Sequence, residues 1–226
     1  MEAIIEPLRQ LDWEDIDAVE QATRKALGTL TEDPALIREA LLALPEHPGL
    51  LKLCEHYDVL DKIVLHDDES GIRLRLHIFL PGYFDRPHNH RWSYASTILR
   101  GEYVHYLFGD AELDEKVAPA SLRALMVRHE QIGNAYALHH TMVHAVVAEP
   151  YTVSLVIRGP AVKDRFLVMD RKTGESWWQY GATMEPAYSA EQKRMTIEHL
   201  SDLTSRLRDW SLFFRPPGSM YAPASR

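Results

Sequence analysis

Cysteine is nearly absent from this chain of 226 residues: Cys54 stands alone, so no intramolecular disulfide and no disulfide-stapled scaffold is possible. Long apolar runs are missing too. No stretch approaches the roughly 18 consecutive apolar residues of a membrane span, and the opening MEAIIEPLRQLDWED turns acidic before an apolar run develops, unlike a secretory leader. A cytoplasmic location is therefore expected. Excess positive charge is also lacking: 25 Lys and Arg face 33 Asp and Glu for a net charge of −8, which disfavours nucleic acid and anionic membranes as partners. There is no GxSxG, no Cys–His pairing, no phosphate-binding loop and no dinucleotide fingerprint, so nucleophilic hydrolysis and nucleotide chemistry have no support. No internal repeat or low-complexity block is present. With 46% hydrophobic and 26% charged residues the chain has an ordinary globular composition, and its length suits one substantial domain. Histidine is what it has in plenty: 12, of which His66, His77, His88, His90, His105, His129, His139, His140 and His144 crowd into positions 66–144.

Residues 12–28 have helical spacing, with Asp12 placed to cap and Gly28 to stop. Asp33-Pro34 opens a second helix ended by Pro45, and HPGLLKLCEHY reads as a third, so 1–62 is expected to be a helical extension. From residue 63 the period becomes two. Ile72, Leu74, Leu76 and Ile78 alternate with Arg73, Arg75, His77 and Phe79, the pattern of a strand with one apolar face. Further strands are expected at 93–99, 102–108, 122–128, 134–138, 143–148, 151–158 and 165–170, with a hairpin through Lys172-Thr173-Gly174 to Ser176–Tyr180. Short strands in series without helices between them predict a mainly β, antiparallel sandwich or barrel over 63–182. Ser189 and Gln192 suggest a capping box for a helix over 189–209, and 183–226 is read as this helix followed by a Pro- and Gly-rich tail, loose or packed on a neighbour.

Within the β region the histidines fall into a pattern. His88 and His90 stand at i and i+2, which on a strand turns both imidazoles to one face, in reach of a single ion at about 2.0–2.1 Å. A third ligand must come from another segment, and Gly133-Asn-Ala-Tyr-Ala-Leu-His139-His140-Thr141-Met-Val-His144 offers candidates.

These two segments resemble the two motifs of the cupin superfamily. Gly82, His88, His90 and Gly101 meet the first, with Tyr94 in the slot usually held by Glu; Gly133 and His144 meet the second, with His139 in the proline slot and Thr141 in the glycine slot. The resemblance covers about residues 65–170. It implies a small jelly-roll barrel, with N-terminal helices and a C-terminal helix added here, holding one metal through His88, His90 and His144. Tyr94 does not inherit the carboxylate's role, because a phenol with a pKa of about 10 is a poor ligand near neutral pH. Three neutral imidazoles leave the full charge of a divalent ion uncompensated and positions open for an anionic donor and O₂. Among cupins this looks like the thiol (cysteine) dioxygenases and the diketone or ring-cleaving dioxygenases, which implies Fe(II), with Zn, Mn or Ni as alternatives. The cysteine–tyrosine crosslink of the thiol dioxygenases cannot be built from Cys54, which lies in the helical extension.

Around this trio several residues have two readings. His140 shares the parity of His144 and is either a proton-transfer group near the metal or a packing residue, with His139 open in the same way. Tyr94 and Ser96 point inward if strand parity holds, Tyr94 as a catalytic hydrogen-bond donor to a bound oxygen species or substrate and Ser96 as a substrate contact, with Tyr103 and Tyr136 as further lining residues or plain aromatic core. Arg75 and His77 either clamp a substrate carboxylate from the polar face of their strand or lie on a solvated outer face. Arg158 is a substrate residue at the barrel rim or an ordinary turn residue. Trp92, Trp177, Trp178 and Cys54 read as packing residues. The expected activity is O₂-dependent oxidation of a small metal-chelating substrate such as a thiol, catechol, enol or amino-acid-like compound; a redox-neutral isomerase or lyase and a non-catalytic sensor are the alternatives. Exposed sheet edges make a homodimer an expectation.

Overall fold

The computed structural model describes residues 1–110, 113–181 and 184–214. Helices α1 (Glu2–Ile5), α2 (Ile16–Glu32), α3 (Pro34–Ala43) and α4 (Pro48–Leu51) come first. Strands follow: β1 (Glu55–His56), β2 (Leu60–Asp67), β3 (Arg73–Phe79), β4 (Tyr94–Arg100), β5 (Glu102–Asp110), β6 (Met126–Gln131), β7 (Ala135–Leu138), β8 (Met142–Ala148), β9 (Val153–Arg158), β10 (Arg165–Met169) and β11 (Ser176–Tyr180). Helices α5 (Ala187–Gln192) and α6 (Ile197–Asp209) close the described chain. All strand pairs are antiparallel, in a sheet ordered β1-β2-β3-β9-β4-β7, a second ordered β6-β5-β8, and the hairpin β10-β11. His88 stitches the last two together, bridging His144 of β8 on one side and Val168 of β10 on the other.

The alternation in β3 sets the architecture. Leu74, Leu76 and Ile78 are fully buried, but toward the helices: they join Leu155 and Ile157 of β9 and Ala95 and Leu99 of β4 in a core with Leu27 and Leu30 of α2, Ile37 and Leu41 of α3 and Leu203 and Leu207 of α6. Each such leucine or isoleucine is worth about 1.5–3 kcal/mol of burial, so the helical layer is an integral wall of the domain. The opposite face, Arg75, His77 and Phe79, therefore looks into the barrel, beside Tyr94, Ser96, Tyr103, Tyr136 and Val156. Of the two readings of this strand the structure takes the one with the polar face toward the barrel interior, because helices supply the dry side.

Several local expectations are corrected. Asp15, not Asp12, caps α2, accepting from Ala18 N at 3.1 Å, while Asp12 accepts from Glu14 N in the preceding turn. Gly28 does not stop α2, which runs to Glu32 because Leu30 behind it is completely buried; the stop comes at Asp33, which caps α3 through Ala35 N. The third helix is only the four-residue α4, since Glu55 and His56 pair with β2 and His56 N donates to Lys193 O. That same pairing interrupts the C-terminal helix: Arg194 bridges Glu55, so 189–209 divides into α5 and α6, Ser189 lies inside α5, and Thr196 caps α6 through His199 N at 3.1 Å. β6 starts at Met126, after a helical turn at Pro119–Ser121 has used the residues before it. The tail from 215 onward lies outside the described residues.

Candidate metal centre

His88 and His90 sit on the connection between β3 and β4, and His144 on β8. The expected strand at His88 is a single bridge rather than a ladder: His88 N donates to His144 O and His144 N to His88 O, both at 2.9 Å, and Met169 N donates to Pro87 O. This anchors the extended HxH segment between two strands and keeps the i, i+2 parity. The ring centroids form a triangle, His88–His90 4.8 Å, His88–His144 4.5 Å and His90–His144 5.0 Å, and one nitrogen from each converges within 4.8 Å.

Tautomers follow from fixed acceptors. The Arg86 carbonyl can only accept, so His88 donates Nδ1–H to it at 2.9 Å and its Nε2 keeps a lone pair. His144 is held by a longer chain. Burial pushes the Glu130 carboxyl up, but the His105 hydrogen bond and the Arg128 charge outweigh it and hold it below the ordinary range, so it is ionised and accepts His105 Nδ1–H at 3.4 Å. His105 Nε2 then accepts from His144 Nδ1 at 2.9 Å, which leaves His144 Nε2 as a lone pair beside His90 Nε2 at 2.8 Å. Burial pushes the His88 imidazole down to about 4 and those of His90 and His144 well below the ordinary histidine value, so all three are neutral. A converging set of neutral imidazole nitrogens, two with assigned lone pairs, fits a borderline divalent cation. His105 and Glu130 carry no motif and are not expected from the sequence. Parity could have given His105, two residues from the inward-facing Tyr103; Glu130 was hidden because the expected strand 122–128 stops short of it, whereas β6 runs to Gln131.

Tyr94 comes down beside the trio, its hydroxyl 3.3 Å from His144 Nε2, and burial drives its pKa well above the ordinary phenol value, so it stays protonated. Tyr103 and Tyr136 share a 2.6 Å hydrogen bond behind it. The cavity in front of the histidines has a volume of about 340 Å³. Arg75 and His77 line it, not a solvated surface. Arg75 is 8% exposed, forms no ion pair among the described residues, and its Nε has no hydrogen-bond partner; neither has His77 Nε2 nor Ser96 Oγ. Burial, with Arg73 nearby, lowers the Arg75 guanidinium to about 10, still charged at neutral pH, whereas burial keeps His77 neutral. Trp92 links the two halves of the site, stacking on His90 at 4.5 Å with the Arg75 guanidinium 5.7 Å from its ring.

Two candidates lie elsewhere. Arg158 does not line the cavity: its Nη1 donates to Gly71 O and Gly159 O, both at 2.9 Å, and its guanidinium packs over Trp92. His140 does not face the trio: its Nε2 meets Glu14 Oε2 of the helical layer at 3.2 Å, as does His139 Nε2. Cys54 is buried on the helix side of the sheet while the tyrosines lie in the barrel, so no crosslink between them can form.

No family model and no curated protein matches the chain. Among solved structures it is similar to KdgF from Halomonas sp. (17% identity, 46% of this chain and 82% of that one, TM-score 0.36), to the DMSP lyase DddQ from Ruegeria pomeroyi DSS-3 (14%, 48% and 51%, 0.37) and to an RmlC-like cupin from Shewanella frigidimarina (16%, 48% and 85%, 0.35). The β half consists of antiparallel sheets on which three histidines converge. The chain spans about half the length of that lyase.

Proposed function

We propose that the protein is a mononuclear metal enzyme that uses Fe(II) at His88, His90 and His144 to oxidise a small, metal-chelating, anionic substrate with O₂. The observation that carries this reading is a three-imidazole site that, among the described residues, has no carboxylate in the cluster and opens onto a cavity holding the Arg75 guanidinium, which has no ion-pair partner among them. Iron, when bound, supplies the open coordination positions and the electrons for O₂ chemistry. Arg75 holds a substrate carboxylate through paired N–H donors, and His77 and Ser96 offer the free polar atoms around it. Tyr94 holds a proton 3.3 Å from a ligand nitrogen, where it can donate to a reacting oxygen. His105 and Glu130 keep His144 in the ligating tautomer. Phe79, Phe84 and Phe166 keep water away from the cavity wall.

The same Tyr94 hydroxyl favours a second reading. A protonated phenol beside a Lewis-acidic ion is what a redox-neutral isomerase or lyase needs, with Zn, Mn or Ni in place of iron. Anaerobic loading with Fe(II), followed by oxygen-uptake measurements with a panel of thiols, catechols, diketones and amino-acid-like compounds, separates the two. Iron-dependent uptake that His144→Ala abolishes supports the oxygenase; stoichiometric zinc with no uptake on any substrate would turn the assignment to the redox-neutral class.

A further inference from the structure

On the outside of the barrel, remote in sequence from the histidine trio, β1, β2 and α6 bring together His56, Asp61 and His199. Asp61 Oδ1 lies 2.6 Å from His56 Nδ1 and 2.9 Å from His199 Nε2, and the two rings stand 4.3 Å apart. Asp61 is completely buried, makes no ion pair with Lys or Arg among the described residues, and its Oδ2 has no hydrogen-bond partner. His56 and His199 are 45% and 32% exposed, so the cluster opens to solvent on one side.

A buried carboxylate needs a positive charge facing it and a partner for each oxygen, and Oδ2 has no partner. A divalent cation balances the charge, takes one nitrogen from each ring, and can use the second carboxylate oxygen as well. We propose that His56, Asp61 and His199 form a second metal site, separate from the barrel centre, that binds Zn²⁺ through two imidazoles and one carboxylate with water in the open position. Ligands in a tetrahedral zinc site lie about 3.3 Å apart, so from 2.6 and 2.9 Å the imidazole nitrogens need to move away from Asp61 Oδ1 by roughly 0.4–0.7 Å. Because His199 sits in the first turn of α6, capped by Thr196, the ion ties that helix to the edge of the six-stranded sheet. The tie lies next to Lys193, which holds Glu55 and Tyr57 at the cavity rim, so zinc occupancy also steadies one wall of the cavity.

The experiment uses the full chain with His144→Ala, which disables the barrel site, titrated with Zn²⁺ or Co²⁺ and followed by metal analysis, thermal unfolding and the visible spectrum of cobalt. One equivalent is expected to bind, to raise the unfolding temperature, and to give the absorption of a low-coordinate cobalt–imidazole site. Adding His56→Ala, at a half-exposed position that the fold tolerates, is expected to weaken binding at least tenfold and abolish the thermal shift; Asp61→Asn, which keeps the shape and removes the charge, should do the same. Equal affinity in His144→Ala and His56→Ala/His144→Ala overturns the assignment, whether the ion then sits at Glu14, His139 and His140 or elsewhere, and so does failure of His144→Ala to bind zinc. Neither result touches the oxygenase reading, which is tested on substrate and iron.

Discussion

At the scale of single residues the site divides into groups that touch the ion or substrate and groups that hold them. Arg75 belongs to the first kind. Its guanidinium is buried and has no carboxylate partner of its own, so Arg75→Met is expected to raise KM for an anionic substrate at least tenfold with a smaller change in kcat, measured by steady-state oxygen uptake. Equal loss of kcat with an unchanged KM would take Arg75 out of substrate binding. His105 belongs to the second kind. Replacing it by Ala removes the acceptor that fixes Nδ1–H of His144, so metal affinity should fall by about 10–100-fold in a competition titration while the fold persists. Tyr94→Phe keeps the ring packed against His90 and His144 and deletes only the hydroxyl; metal content should stay at the wild-type level and turnover should drop by about 10²-fold or more. His88 and His90 are legible in the sequence because i, i+2 spacing on extended backbone turns them to one face, whereas His144 is singled out from its histidine neighbours only by the resemblance of its segment to the second cupin motif. Arg158 shows where parity fails: it follows Ser154 and Val156 on the inward side of β9, but at the strand end its guanidinium finds the carbonyls of Gly71 and Gly159 instead of the cavity.

At the scale of elements, what could be read was what short-range chemistry decides. The strands β3 to β5 and β7 to β11 follow from alternation and turn residues. The break between α5 and α6 could not be read, because it depends on Arg194 pairing with Glu55, far away in the chain. Two of the three motif glycines have backbone reasons: Gly101 has φ +70° and Gly133 φ +86°, and a Cβ at Gly101 would run into Thr152 Oγ1. Gly101→Ala should therefore cost about 1–2 kcal/mol or more in chemical denaturation, from left-handed strain plus the clash. Gly28 is the counter-case. It lies inside α2 with nothing within 4 Å of the position a methyl would take, so Gly28→Ala should stabilise by about 0.5–1 kcal/mol, and a loss of stability would show that α2 is strained there.

At the scale of the whole molecule, the helical layer makes the chemistry possible. With the apolar face of the large sheet sealed by α2, α3 and α6, its other face is free to carry an arginine, histidines and tyrosines around a cavity. That burial has a pH signature. His88 is held down to about 4, with His90 and His144 also depressed, whereas in the unfolded chain histidines protonate near 6.5. The unfolded state therefore binds more protons below about pH 6.5, and the metal-free protein should lose stability as pH falls from there toward about 4, by up to about 1.4 kcal/mol per pH unit from His88, with His90 and His144 acting in the same direction. The direct test of the central claim is nitric oxide binding to the anaerobic Fe(II)-loaded protein, read by electron paramagnetic resonance. The site predicts a high-spin iron–nitrosyl signal that disappears in His144→Ala and survives in His56→Ala; an undiminished signal in His144→Ala, or none in the wild type, would contradict it.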